Sequence, residues 1–202
     1  MTISITLRWY LPVFLFLYLL IAFVLPSWRV YRKTGINPVT FGKTDNAHDF
    51  IGRWMKWVTG LMVAAVLLFS LFPQMYSYLL PFWYLERTGV QAAGLIWMHI
   101  ALIWIMLAQY QMSHSWRIGI DEKHSTALVT SGLFRFSRNP IFLGMLASVW
   151  GLFAVLPNAI TLLAGVTCYI LIQIQIRLEE DHLHRQHGLI YEQYRKKVRR
   201  LI

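Results

Sequence analysis

The stretch Asn139-Pro140-Ile141-Phe142-Leu143-Gly144-Met145-Leu146-Ala147-Ser148-Val149-Trp150-Gly151-Leu152-Phe153-Ala154-Val155-Leu156-Pro157-Asn158 opens on a polar residue and a proline, carries no charge, and closes on a Pro-Asn break. Pro140 suits a first helical position, where a missing N–H costs nothing, and the Asn139 side-chain oxygen is placed to cap that helix. At ~1.5 Å per residue, Pro140 to Leu156 gives about 25 Å, slightly short of a ~30 Å hydrocarbon layer. A further apolar run, Ala159 to Ile176, follows at once. The two read as a helical hairpin in a membrane, with a very tight turn whose tip lies near the far face.

The whole chain agrees with a membrane setting. Of its 202 residues 57% are hydrophobic and only 14% charged, far from the quarter usual in soluble domains, and the mean hydropathy is +0.49. Nine Trp and ten Tyr suit segments that cross the interfacial zone repeatedly. Cys168 is the single cysteine, so intrachain disulfides and Cys-based metal sites are excluded. Upstream of the hairpin lie three more apolar runs, Trp9 to Trp28, Trp54 to Phe72 and Gly89 to Tyr110. The first has Arg8 as the only charge before it and no small-residue cleavage site, so it reads as a retained helix rather than a signal peptide. Arg29 to Arg53 reads as a polar connector rich in turn formers, and Tyr76 to Tyr84 as an interfacial aromatic piece, either surface or partly inserted.

Charge placement orients this layout. Five spans put 17 of the 19 Lys and Arg on one side, in residues 29–56, 111–139 and 177–202, and leave Arg8 and Arg87 on the other. Positive-inside bias then expects the N-terminus outside and the tail in the cytoplasm. It also accounts for the formal charge of +10 without nucleic acid. The expected fold is all-α and polytopic, with about five transmembrane helices, a C-terminal helical hairpin and an amphipathic cytoplasmic tail helix. The natural division is residues 1–110, the N-terminal spans, and residues 111–202, the loop, hairpin and tail. In that tail Lys196, Lys197, Arg199 and Arg200 suit anionic head groups.

Polar clusters gather on the basic side. The Asn139-Pro140 helix start, flanked by Arg135 and Arg138, offers free N–H groups to an anion, although an ordinary capped helix with arginines on head groups explains it as well. Glu179-Glu180-Asp181 ends the fifth span, and the hairpin requires this end to lie beside that start. One account is structural, with Arg177–Asp181 or Glu180–His184 as helical pairs; the other turns an acid inward to accept hydroxyls or balance a positive ligand. His114 and Arg117, just past the third span, can position a substrate or anchor a helix end. His182, His184 and His187 complete no metal set, so no metal is expected. Hydrolase triads and soluble-type phosphate loops are absent.

Leu128-Val129-Thr130-Ser131-Gly132-Leu133-Phe134, then Arg138-Asn139-Pro140-Ile141-Phe142 with Gly144, then Glu179-Glu180-x-x-Leu183 and Gly188-x-x-Tyr191-x-x-Tyr194 resemble the isoprenylcysteine carboxyl methyltransferase and phospholipid methyltransferase family. The likeness runs from about Trp116 to Arg200. It implies an integral membrane enzyme whose S-adenosylmethionine pocket is lined by Thr126, Ala127, Leu128, Val129, Phe134, Asn139, Pro140, Ile141 and Phe142, with Glu179 and Glu180 closing it from the fifth span. It also implies a helix start that receives the cofactor's carboxylate, aromatic rings that pack on adenine, and a glutamate that accepts ribose hydroxyls. The Arg-Asn-Pro form resembles bacterial relatives, which points to a bacterial inner membrane.

The chain also departs from the family. Asn139 stands where the eukaryotic enzymes have His, and Phe134 and Phe142 where they have Tyr. Gln175 replaces the arginine that prenylcysteine enzymes associate with the substrate carboxylate, which leaves the acceptor open among an isoprenylcysteine-like carboxylate, a phospholipid amine and another small lipophile. His114, Arg117, Arg138 and Gln175 are the substrate-side candidates. A carboxylate or thiolate acceptor needs no base, whereas a protonated amine needs one, with Glu180 or His114 available. An NAD(P)H-dependent membrane reductase of related architecture and a non-enzymatic membrane component remain the alternatives.

Overall fold

The computed structural model describes residues 2–40, 46–119 and 127–202. The described chain forms α1 (Thr2–Leu19), α2 (Leu25–Thr34), α3 (Ala47–Leu71), α4 (Thr88–Met112), α5 (Pro140–Val155), α6 (Ala159–His187) and α7 (Leu189–Lys197), with short 3₁₀ turns at Pro73–Leu79, Ser113–Ser115 and Gly132–Arg135. Four helical stretches, Ile5–Thr34, Ala47–Leu71, Thr88–Met112 and Ala159–His187, are long and apolar enough to cross a membrane, and α5 is a shorter apolar helix of 16 residues. The protein is an all-α polytopic integral membrane protein.

The first span is longer than its apolar run. Instead of ending near Trp28 it continues to Thr34 and stops at Gly35, whose positive φ of 69° lets its N–H reach the Tyr31 carbonyl. Arg29, Arg32 and Lys33 lie on exposed helix surface, and Arg32 stacks over the Trp28 ring at 5.2 Å; long cationic stems can continue a span while their heads stay in water. The polar connector is correspondingly shorter. Asn46 caps α3 by accepting from the Asp49 N–H at 2.8 Å, so α3 begins well before Trp54.

Within the first span, α1 and α2 are joined by a π-turn, Leu20–Val24. Pro26 explains it, because a proline has no N–H to give the carbonyl four residues back, here Ala22. The Gln109 side chain of α4 supplies the missing donor, its Nε2 reaching Ala22 O at 2.6 Å. Kink and brace together tie α1 to α4.

The hairpin turn is built as expected. Asn158 Oδ1 accepts from the Thr161 N–H at 2.9 Å and the Thr161 hydroxyl oxygen accepts from the Asn158 N–H at 3.3 Å, so a capping box starts α6; the Thr161 hydroxyl also donates to Leu156 O at 2.6 Å. Phe82 N donates to Pro157 O and Ala159 N to Leu80 O, at 2.7 and 3.2 Å, which places the aromatic segment and the hairpin tip at the same end of the bundle. Tyr78, Leu80, Trp83 and Tyr84 are exposed there. Helix α5 packs on α4 and α6, α6 on α3, and α3 on α1. The α4–α5 seam is backbone to backbone: a Cβ on Gly94 would lie 2.9 Å from Gly151 O, and one on Gly151 2.6 Å from Met98 Cγ.

Candidate functional site

At the opposite end the start of α5 meets the end of α6 through an ion cluster. Arg138 donates from Nε and Nη2 to Glu180 Oε1 at 3.0 and 2.8 Å, and Arg200 from Nε and Nη2 to Glu180 Oε2 at 3.1 and 2.6 Å. The Arg138 and Glu180 side chains are only 9% and 5% exposed. Such desolvated ions persist when every charge is paired and hydrogen-bonded. Arg138 Nη1 also donates to Arg195 O and Val198 O, at 2.8 and 2.9 Å, so the segment after α7 is strapped across the start of α5.

This strap changes the role expected of Asn139. Its side chain makes no capping bond; Nδ2 instead donates to Arg200 O at 3.0 Å, while its backbone N–H donates to Ser137 Oγ at 3.1 Å. The bond from Nδ2 to a carbonyl 61 residues along the chain orients the amide away from the capping position. The helical pairs expected on α6 are likewise replaced: Arg177 donates to Gln173 O and Oε1, and Glu180 serves the two arginines. Tyr194 adds a further tie, its hydroxyl donating to Phe134 O at 2.7 Å. Burial pushes that phenol up to about 12, so it remains a protonated donor at neutral pH.

Under the strap lies a cavity of about 510 Å³. Its wall takes Ala127, Leu128, Val129, Phe134, Asn139, Pro140, Ile141 and Phe142 from the loop and the start of α5, and Gln175 and Glu179 from α6. Arg117 and Arg138 also line it, whereas Glu180 does not. Thr126 and the side chain of His114 lie outside the described residues. Trp104 Nε1 donates to Pro140 O at 2.9 Å, which anchors the first turn of α5 on α4. Within the wall, Gln175 Nε2 donates to Glu179 Oε1 at 2.9 Å. Among the described residues no three His, Cys, Asp or Glu converge as a metal set.

The remaining wall comes from residues that sequence reading did not single out. Leu19 and Phe23 of the first span, Met55 and Thr59 of α3, and Gln109 of α4 all face the space. Leu19, Phe23, Met55, Thr59 and Met145 also border a second, apolar space of about 60 Å³ that ends against Phe14, Met98 and Cys168. The two spaces are neighbours, one bordered partly by charged and amide groups and the other reaching between α1, α3 and α5. One signal in the sequence was available: Gln109 is an uncharged polar residue inside an apolar run, and polar groups at such positions are kept for packing or function.

A family model described as phospholipid methyltransferase matches residues 88–189, just over half of the chain. The matched part contains α4, α5, α6 and most of the polar wall, and leaves out α1 to α3. None of the curated proteins compared with the chain matches it.

Proposed function

The chain belongs to the phospholipid methyltransferase family, and on that footing we propose that it transfers a methyl group from S-adenosylmethionine to a lipophilic acceptor resident in the membrane. The observation that carries the reading is the pair of adjoining spaces. The larger, at about 510 Å³, falls within the roughly 300–1,000 Å³ of small-molecule sites and offers both polar and apolar walls. The smaller is bordered mainly by apolar side chains of membrane-spanning helices.

The residues present fit a zwitterionic sulfonium cofactor. The N-terminal turn of α5, with Arg117 nearby in the wall, suits a carboxylate. Phe134 and Phe142 offer ring faces for adenine, and Ala127 to Val129 border the same space. Glu179 is the wall's acid, suited to ribose hydroxyls or to the positive charge. Glu180, expected beside it, belongs to the strap and acts by holding the α5 start in place. When bound, the cofactor supplies an electrophilic methyl: the acceptor's lone pair forms the new bond while the carbon–sulfur bond breaks and its electrons remain on sulfur. The protein's part is alignment and exclusion of water. In this reading the basic end of the bundle faces the cytoplasm, so the charged cofactor enters from water and the acceptor arrives through lipid beside α1 and α3.

Calorimetric titration of S-adenosylmethionine and S-adenosylhomocysteine into the detergent-purified protein tests the cofactor, beside Glu179→Ala and Ile141→Trp. Micromolar binding weakened at least tenfold in both variants is the expected result. Methyl-labelled cofactor with extracted membrane lipids then identifies the acceptor. Folded protein that binds neither compound, or that binds NADPH instead, overturns the reading.

A further inference from the structure

The polar wall of the cavity is reached by a side chain from outside the family-matched segment. His48 lies in the first turn of α3, and its Nδ1 is 3.2 Å from Gln175 Oε1. Gln175 is only 2% exposed and passes the contact on, donating from Nε2 to Glu179 Oε1 at 2.9 Å. Imidazole, carboxamide and carboxylate thus form a chain that crosses from α3 to the acid facing the cavity.

The chemistry of the three groups gives the chain a direction. With Glu179 ionised the carboxylate only accepts, so the amide presents its NH₂ to Glu179 and its oxygen to His48, and Nδ1 is then the protonated nitrogen. Removing the imidazole donor leaves a buried amide oxygen without that partner and lets the amide shift from its place against Glu179. Glu179 is held at one oxygen by Gln175, and fixing that oxygen limits the swing of the carboxylate plane. A second contact steadies the ring. Gly119, at φ +96°, lies so close that a Cβ there would come 2.6 Å from His48 Nε2, and Gly119 itself lines the cavity.

We propose that His48 is a positioning residue of the cofactor site: through Gln175 it sets the orientation in which Glu179 meets the ligand. This rests on the methyltransferase reading for the identity of that ligand. It makes the site a joint product of α3 and the hairpin, and gives Gln175 a purpose that does not require a substrate carboxylate.

The test is S-adenosylhomocysteine affinity of the full chain in detergent for wild type, His48→Asn, His48→Gln, Gln175→Ala and His48→Gln with Gln175→Ala, with thermal midpoints measured alongside. In His48→Asn the amide nitrogen stands close to the position of Nδ1, so affinity stays within about twofold of wild type. In His48→Gln the donor sits at the wrong reach, and affinity falls roughly three- to tenfold, the scale of one hydrogen bond. Gln175→Ala weakens binding similarly, and adding His48→Gln to it has no further effect. Equal affinity of His48→Gln and wild type overturns the proposal, as do losses that add in the double variant or a weakened His48→Asn with an unchanged midpoint. A wild type that binds no S-adenosylhomocysteine overturns the cofactor reading and this inference together, whereas the other outcomes bear on His48 alone.

Discussion

Between α4 and α5 the backbones touch at Gly94 and Gly151, whereas on the α3 side the chain leaves two adjoining spaces bordered by Met55 and Met62 of α3 and by Met145 of α5. Small residues at a membrane helix contact allow close, specific packing. Methionine does the reverse, filling irregular space with a flexible thioether that can be rearranged. The difference matches two tasks. On the proposed reading the α5 start presents its N–H groups from a fixed position, while the opposite wall adapts to the acceptor. Rigidity is concentrated on the α4 side and at the strap; softness is concentrated on the α1 and α3 side.

Breaking the rigid side should cost stability, in proportion to how completely a group is buried. Glu180→Ala leaves the Arg138 guanidinium desolvated beside Arg200, a loss of about 3–5 kcal/mol; a large drop in thermal midpoint and new tryptic cleavage at Arg195 to Arg200 are the expected readouts. Gly151→Leu pushes α4 and α5 apart and should cost about 1–3 kcal/mol, again seen as a lower midpoint in detergent. Gln109→Leu removes the donor that the π-turn needs at Ala22 O, a loss of roughly 1 kcal/mol or somewhat more, measurable by the same scan. A change on the soft side sharpens the contrast. Met62→Phe, at a residue that borders only the smaller space, should shift stability by less than about 1.5 kcal/mol and leave S-adenosylhomocysteine affinity unchanged, yet reduce methylation of bulky acceptors. If Met62→Phe unfolds the protein as readily as Gly151→Leu, the two sides are equally rigid and the comparison fails.

Much of the architecture was legible because it is written locally. The charge-free run from Ile141 to Leu156, the Pro157-Asn158 break and the next apolar run demand a hairpin, and the Arg138–Glu180 bridge brings its two open ends to 2.8 Å. The loop and α5 residues singled out from Ala127 to Phe142 border one space, together with Glu179 and Gln175. What sequence reading misjudged depends on partners distant in the chain. Asn139 has the right chemistry to cap, but the carbonyl of Arg200 claims its amide. Glu180 carries the same side chain as Glu179, and one helical step of about 100° turns it to the arginines instead of the cavity. Arg29, Arg32 and Lys33 suggested a loop because charge usually ends a span, yet interfacial cations tolerate a helix. His48 sits in a polar stretch with no motif, and only the α3–α6 contact brings it to Gln175.

The shortness of α5 bears on how the protein enters its membrane. A 16-residue helix covers about 24 Å, less than the hydrocarbon layer, so on its own it is a weak stop or start signal for insertion machinery. Asn158 and Thr161 close the turn at α5's far end and begin the 29-residue α6, which makes the pair a single inserting unit. Lengthening the turn with polar residues would therefore register first as a change in membrane topology, with α5 left behind at the interface, before any effect on ligand affinity could be read.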